Sequence, residues 1–352
     1  MIKVHVLDGS SALAWMAERW RDLYEHDRGA SPFQSPGWLL GWASQLTPPA
    51  DPLVLVAADG KKVCAALALV CERDKAGKVL VRPLAAPHSE YVDAVGPSSQ
   101  EPAVAAALAD RLVGLAHEGL SVELSDVSMQ SPLGQAMLRQ PGWRHSTLLC
   151  AVVALPLDMS SMTKSLRRQH TQRERRLSVG GYRVSYHRTR TAEELLDVYP
   201  GLNMLHAARW ARDPASRRQG AEPTAWLDVL RQCGGETAFI ASMSVDGKLA
   251  AAQLCLYRGH RCYSVLPAMH PDMLHLSPGH LLLRQLATSL ADLGFSTLDL
   301  GRTVESPGQI GYKAQYNPRW SLSLTSAFDG VLNGGEEFSS APNSSVGSSA
   351  AQ

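Results

Sequence analysis

No apolar run in this chain approaches the ~18 residues that a membrane-spanning helix requires. Residues 1–15, MIKVHVLDGSSALAW, also lack the apolar core of a secretory signal. A cytoplasmic location is therefore expected, with attachment at the inner membrane face as its variant. Net charge is nearly absent: 34 Lys+Arg stand against 33 Asp+Glu, leaving +1. Such a chain has no global field to gather nucleic acid, and DNA is not expected as a partner. None of the six cysteines (Cys64, Cys71, Cys150, Cys233, Cys255, Cys262) forms a CxxC pair. Several lie in apolar strand-like runs, where a thiol acts as a small hydrophobe. With no HExxH, no GxSxG elbow, no GK[ST] loop and no metal-spaced His/Cys group, the expectation is no metal and no covalent serine enzyme.

What is present is an ordinary globular balance, 45% hydrophobic and 19% charged, over 352 residues. That length suits about two domains. Residues 59–69, DGKKVCAALAL, are echoed at 246–256 by DGKLAAAQLCL. Each reads as strand, Asp-Gly turn, strand, a strong hairpin signal. The same offset relates Pro36 to Pro223, each in the first turn of an expected helix, and Leu40 to Leu227. HEGLSVEL (117–124) resembles DLGFSTLDL (292–300), each a helix end, a glycine stop and a strand. Each half then runs helix, helix, hairpin, further strand, helix, strand, an α/β (α+β) order with helices packed on a mixed sheet. The expected domains are 1–158, 159–330 and a disordered Ser/Gly/Ala-rich tail, 331–352.

In the second half Lys164–Arg176 reads as a basic helix and Tyr182–His187 as a short strand. Thr191 and Glu194 mark a capping box opening a helix whose stripe is Leu195, Tyr199, Leu202, His206 and Trp210. Strands follow near 237–244, 248–257 and 261–267, then a helix from Pro278 to Leu293 and a strand at 296–300.

Four places carry candidate chemistry. HLSPGHLLL (275–283) begins a helix with Ser277 as N-cap, Pro278 in the first turn and Gly279 leaving the backbone open. Free amides and the helix dipole there suit an anion such as a pyrophosphate; a well-capped helix that binds nothing is the plain reading of this string by itself. In LHAARW (205–210), His206 can act as a base, and Arg209 and Trp210 are candidate substrate-binding groups; a core histidine and a surface arginine are the plain alternative. In LDLGRTVESPGQIGYKAQYNPRW (298–320), Asp299 sits inside a strand and Arg302 just past its glycine break. An irregular loop is expected to end at Gly311-Tyr312-Lys313. Charged groups at a strand end, before a loop, are where α/β sheets place ligands, and a solvated loop is the alternative. Finally, residues 160–190 hold nine Lys/Arg against one acid, Glu174. A solvated face, a phosphate-rich ligand, an anionic membrane surface or a tRNA acceptor stem would each suit that helix.

These strings together resemble the CelD/BcsL-type (BioF2-like) acetyltransferases, a branch of the GNAT superfamily associated with cellulose and exopolysaccharide biosynthesis. The marks are PFQSPGWLLGWASQL (32–46), LRRQHTQRERRL (166–177), LHAARW, SPGHLLL (277–283) and LDLGR (298–302). GRT followed by GYKAQYNP (311–318) also resembles FemAB-like transferases. The resemblance implies two tandem GNAT-like domains and an acyltransferase using acetyl-CoA or another acyl-CoA. It implies a donor site at Ser277, Pro278, Gly279, His280 and Leu281, with His275 where such loops carry an initial Arg or Gln. His206, Asp299 and Tyr312 are then the catalytic candidates, and Arg209, Trp210, Arg302 and Lys313 bind substrate, the acceptor being a small molecule or saccharide. The first domain is expected to be degenerate and to shape the acceptor site. A FemAB-like transferase using aminoacyl-tRNA and a non-catalytic scaffold for envelope polysaccharide assembly are the alternatives.

Overall fold

The computed structural model describes residues 1–73, 77–210, 223–303 and 307–328; the expected tail lies outside them. The first half comprises β1 (Ile2–Asp8), α1 (Gly9–His26), α2 (Pro36–Ala43), β2 (Asp51–Asp59), β3 (Lys62–Arg73), β4 (Val79–Pro83), α3 (Pro102–His117), β5 (Ser121–Ser128), α4 (Pro132–Arg139) and β6 (Arg144–Ala154). The second comprises α5 (Lys164–Val179), β7 (Val184–Arg188), α6 (Ala192–Trp210), α7 (Pro223–Thr237), β8 (Ala238–Val245), β9 (Lys248–Arg258), β10 (Arg261–Met269), α8 (Pro278–Asp292), β11 (Thr297–Thr303), α9 (Pro307–Ala314) and β12 (Arg319–Phe328).

The repeated hairpins form as their sequences require. Between β8 and β9, Asp246 and Gly247 both take positive φ (50° and 79°), the geometry of a two-residue turn whose twist matches the strands; between β2 and β3 the turn shifts by one to Gly60-Lys61, with Gly60 at φ 60° and Asp59 paired in the strand. The apolar runs that flank these turns are buried along nearly their whole length, because helices cover both faces of the sheet. The bulges repeat too, between Ala57 and Ala58 in β2 and between Met243 and Ser244 in β8. On α6, Leu195, Tyr199 and Leu202 are buried as the stripe predicts, Leu205 is buried in addition, and His206 is only half-buried. Its capping differs in detail: the Glu194 carboxylate accepts from the Arg190 amide (2.6 Å), while Thr191 Oγ1 accepts from the Glu194 amide (3.2 Å).

All twelve strands join in one sheet, ordered β1-β2-β3-β4-β5-β12-β6-β11-β10-β9-β8-β7. Every pair is antiparallel except β4–β5 and β10–β11, at equivalent places in the two halves. The order is palindromic about the β12–β6 pair, and the two last strands are exchanged. β12 lies between β5 and β6, and β6 lies between β12 and β11. The symmetry reaches the backbone. β5 carries Asp126 at φ 63° and β11 carries Gly301 at φ 68°, each at a bulge facing an exchanged strand.

One face of the sheet is covered by α1, α2, α6 and α7, whose apolar sides share a core with β2, β3, β8 and β9. The opposite face carries α3 and α4 over the first half and α8 over the second. The equivalent helices α2 and α7 pack on each other. A Cβ on Gly37 would lie 2.5 Å from the Gln232 carbonyl oxygen, and one on Gly41 would lie 3.1 Å from Val229 Cα. The structure also departs from the sequence expectation: residues 307–314 are helix α9, not loop; β1 and α4 are elements that the six-element reading does not contain; and β6 and β12 close each half with a further strand.

Candidate active site

β10 and β11 start side by side and then part. They pair only at Arg261–Tyr263 with Thr297–Asp299. Beyond that point β10 follows β9 as far as Met269, through a bulge between Ser264 and Leu266, while β11 follows β6. Two neighbouring strands that lose their common ladder leave a wedge in the middle of the sheet.

Asp299 stands at the last paired position, 6% exposed. Its Oδ1 accepts from the Gly301 amide at 2.7 Å. Burial lifts this carboxyl to about 7, with Glu90 adding to the rise and Tyr91 and Lys313 opposing it. Tyr91 comes from the first half. Its ring lies 5.7 Å from that of Tyr263, and burial, with Asp299 next, pushes its phenol well up. Glu90 beside it rests over Gly301, where a Cβ would lie 2.5 Å from Glu90 Oε2. The segment is held from behind: His88 stacks on Trp42 at 4.0 Å and meets Trp226 edge-on, and Ser89 accepts from Trp38 Nε1 at 2.8 Å. Burial lowers His88 to about 4, aided by Arg302 and Arg82.

Arg302 reaches across the two halves. It donates to Asp126 Oδ2 (2.8 Å), Glu90 Oε1 (3.4 Å) and the Pro87 carbonyl (3.0 Å). Burial raises Asp126 to about 6, against the pull of Arg302. Lys313, on α9, donates to the carbonyls of Gly301 (2.9 Å) and Arg302 (2.6 Å), fastening α9 to the end of β11.

The front of α8 lies on the opposite face. Ser277 is left-handed (φ 55°) and its side chain caps nothing. Its carbonyl instead takes the His280 and Leu281 amides at 3.1 and 3.3 Å. Pro278 has no N–H, so the Gly279 amide is the first-turn donor left facing forward. Met269 lies over Gly279, where a Cβ would run into its sulfur. Tyr312 donates to the Gly279 carbonyl at 3.5 Å, and the Tyr316 hydroxyl sits 2.7 Å from His280 Nδ1. The His280 ring is 4.4 Å from Tyr312. Burial, then Arg173 and His170, lowers His280 to about 3, so the imidazole is neutral near pH 7. Arg173 on α5 donates through Nη2 to Gln315 Oε1 (2.7 Å); its buried Nη1 has no partner among the described residues.

His206 lies half-buried on α6, next to buried Leu202 and Leu205. The side chains of Arg209 and Trp210 lie outside the described residues. The structure thus brings Asp299, Arg302 and Lys313 together at β11, and Tyr312 together with Ser277–Leu281 at α8. α6, which carries His206, packs its buried side on the face that holds Tyr263. Glu90, Tyr91 and Asp126 were not among the sequence candidates, because nothing local marks residues that meet β11 from about two hundred positions away. Tyr316 had a signal, standing one helical turn after Tyr312.

Residues 164–314 match a family model described as Acetyltransferase (GNAT) domain. No curated protein sequence matches the chain. Among solved structures, FemX is similar at TM-score 0.61 and 9% identity, over 88% of this chain and 95% of that one. L-PGS from Bacillus licheniformis is similar at 0.55 and 15%, over 89% and 91%. A tandem GNAT protein from the clavulanic acid biosynthesis pathway is similar at 0.50 and 15%, over 95% and 100%. The fold is therefore a tandem GNAT-like one, its two halves merged into a single sheet.

Proposed function

We propose that the second half transfers an acyl group from acyl-CoA to an amine or hydroxyl acceptor. The parting of β10 and β11 at Tyr263 and Asp299 carries this reading. It frees backbone amides of β10 beside a buried carboxyl, with α8 beginning behind them. The match of residues 164–314 to an acetyltransferase domain supports it. In this scheme Ser277–Leu281 receive the donor phosphates, helped by Arg173 on the inward side of α5. A β10 amide polarises the thioester carbonyl, an effect worth roughly 3–4 kcal/mol per donor. Asp299 or His206 takes the acceptor's proton as the new bond to the acyl carbon forms. The C–S bond then breaks, and Tyr312 protonates the departing thiolate. Arg302 and Lys313 keep the end of β11 in place, and Arg209 and Trp210 are assigned to acceptor binding. The first half shapes the acceptor side. Its own equivalent helix α3 begins after Glu101, an acid that repels phosphate from that helix start.

A donor carried on tRNA is the second reading. It is favoured by Met269 lying over Gly279, which narrows the approach to the α8 amides. Thermal melting with acetyl-CoA, longer acyl-CoAs and free CoA separates the two. A ligand at a hundred times its Kd adds about 2.7 kcal/mol of stability, so a clear rise is expected with an acyl-CoA. No rise with any of them, alongside steeply salt-dependent binding of aminoacyl-tRNA, would transfer the assignment to the second reading.

A further inference from the structure

The outward side of α5 is not part of the site just described. Its inward side is set by His170 and Leu177, both buried, and by Arg173 bonded to Gln315. The opposite side carries Lys164, Arg168, Arg175 and Val179 at spacings of four, seven and four, one continuous stripe on a helix. The first three are exposed and make no ion pair among the described residues. The one acid of the helix, Glu174, is taken up by Arg284 at 3.0 Å.

The stripe ends in apolar surface. Val179 is 76% exposed, an unusual state for a β-branched aliphatic side chain, and Tyr182 and Tyr186 follow at 36% and 40%. Tyr186 belongs to β7, the last strand of the sheet. Leu274, 54% exposed, stands next to His275, whose carbonyl accepts from Arg176 at 3.4 Å. Cations in a row, with aliphatic and tyrosine side chains at one end, match the two layers of a bilayer boundary: anionic headgroups outside, hydrocarbon just beneath. An RNA partner would use the cations but gains nothing from a bare Val179 and Leu274. The cationic stripe itself contains no aromatic ring on which bases stack.

We propose that this face of α5, with Val179, Tyr182, Tyr186 and Leu274, docks the protein on a membrane surface rich in anionic phospholipid.

Cosedimentation of the full chain with phosphatidylcholine vesicles, with and without phosphatidylglycerol, tests this. Binding is expected only with phosphatidylglycerol present, and it should weaken as salt rises. The triple variant K164A/R168A/R175A should lower partitioning on the order of 100-fold at low salt. Val179→Asp should lower it roughly ten-fold. These positions are exposed, so unchanged melting curves accompany the loss. Equal binding to neutral vesicles, or a triple variant that binds like the parent, would overturn the proposal. Binding of tRNA that the triple variant loses, without any vesicle binding, would overturn it in favour of an RNA surface.

Discussion

Arg302 ties the two halves together through ion pairs with Asp126 (2.8 Å) and Glu90 (3.4 Å). Asp126 is 3% exposed and sits at positive φ, a backbone state that Asn also accepts. Removing Arg302 leaves this buried carboxylate without a counter-charge, with only the Ser323 hydroxyl donating to it at 3.5 Å. Arg302→Met should therefore cost on the order of 3 kcal/mol near pH 7 in urea unfolding. The cost should shrink below about pH 6 as Asp126 takes up a proton, and it should shrink at all pH values in R302M/D126N. Asp299 predicts a slope of its own. Its folded value of about 7 exceeds its ordinary 3.8, so the folded state binds the proton more tightly. The stability from that proton is complete below about pH 4 and is lost as pH rises to about 7. Asp299→Asn should remove up to about 1.4 kcal/mol per pH unit from the fall in stability across that window, measured by denaturation at successive pH values. A variant with the parent's slope would show that Asp299 ionises freely in the folded protein.

Among the elements, α2 and α7 are each legible in the sequence as a proline-led helix, and the repeat relates them. That they lie against one another is read only from the structure. Their closeness depends on Gly37 and Gly41, because the α7 backbone occupies the space where a side chain would begin. Gly37→Ala should cost about 1–3 kcal/mol through this clash, with far-ultraviolet circular dichroism unchanged at low temperature. α9 shows the opposite case. Its residues, PGQIGYKA, contain two glycines and a proline, which local propensity reads as loop. Lys313, bonded to two carbonyls at the end of β11, holds that segment as a helix. Tertiary bonds there outweigh a propensity deficit of about 2 kcal/mol from two glycines.

For the whole molecule the exchanged strands are decisive. β6 is hydrogen-bonded to β11 and β12 of the second half, and β12 to β5 of the first. A protease site placed at Asp158–Ser161, between β6 and α5, should therefore yield two fragments that stay together through gel filtration under native conditions. Residues 159–352 produced alone should be insoluble, because β11 then has no neighbour on its β6 side. Separation of the nicked fragments in buffer would contradict this account. The sequence by itself determined the duplicated order, the Asp-Gly hairpins, the buried stripe of α6 and the helix start at Pro278. All of these follow from interactions within a few residues along the chain. Only the tertiary structure decided which half each final strand completes, and that Glu90, Tyr91 and Asp126 gather around Asp299 and Arg302. Pairing between strands depends on backbone groups common to every residue, and burial of a charge depends on what arrives from elsewhere in the chain. Neither leaves a mark in local spacing.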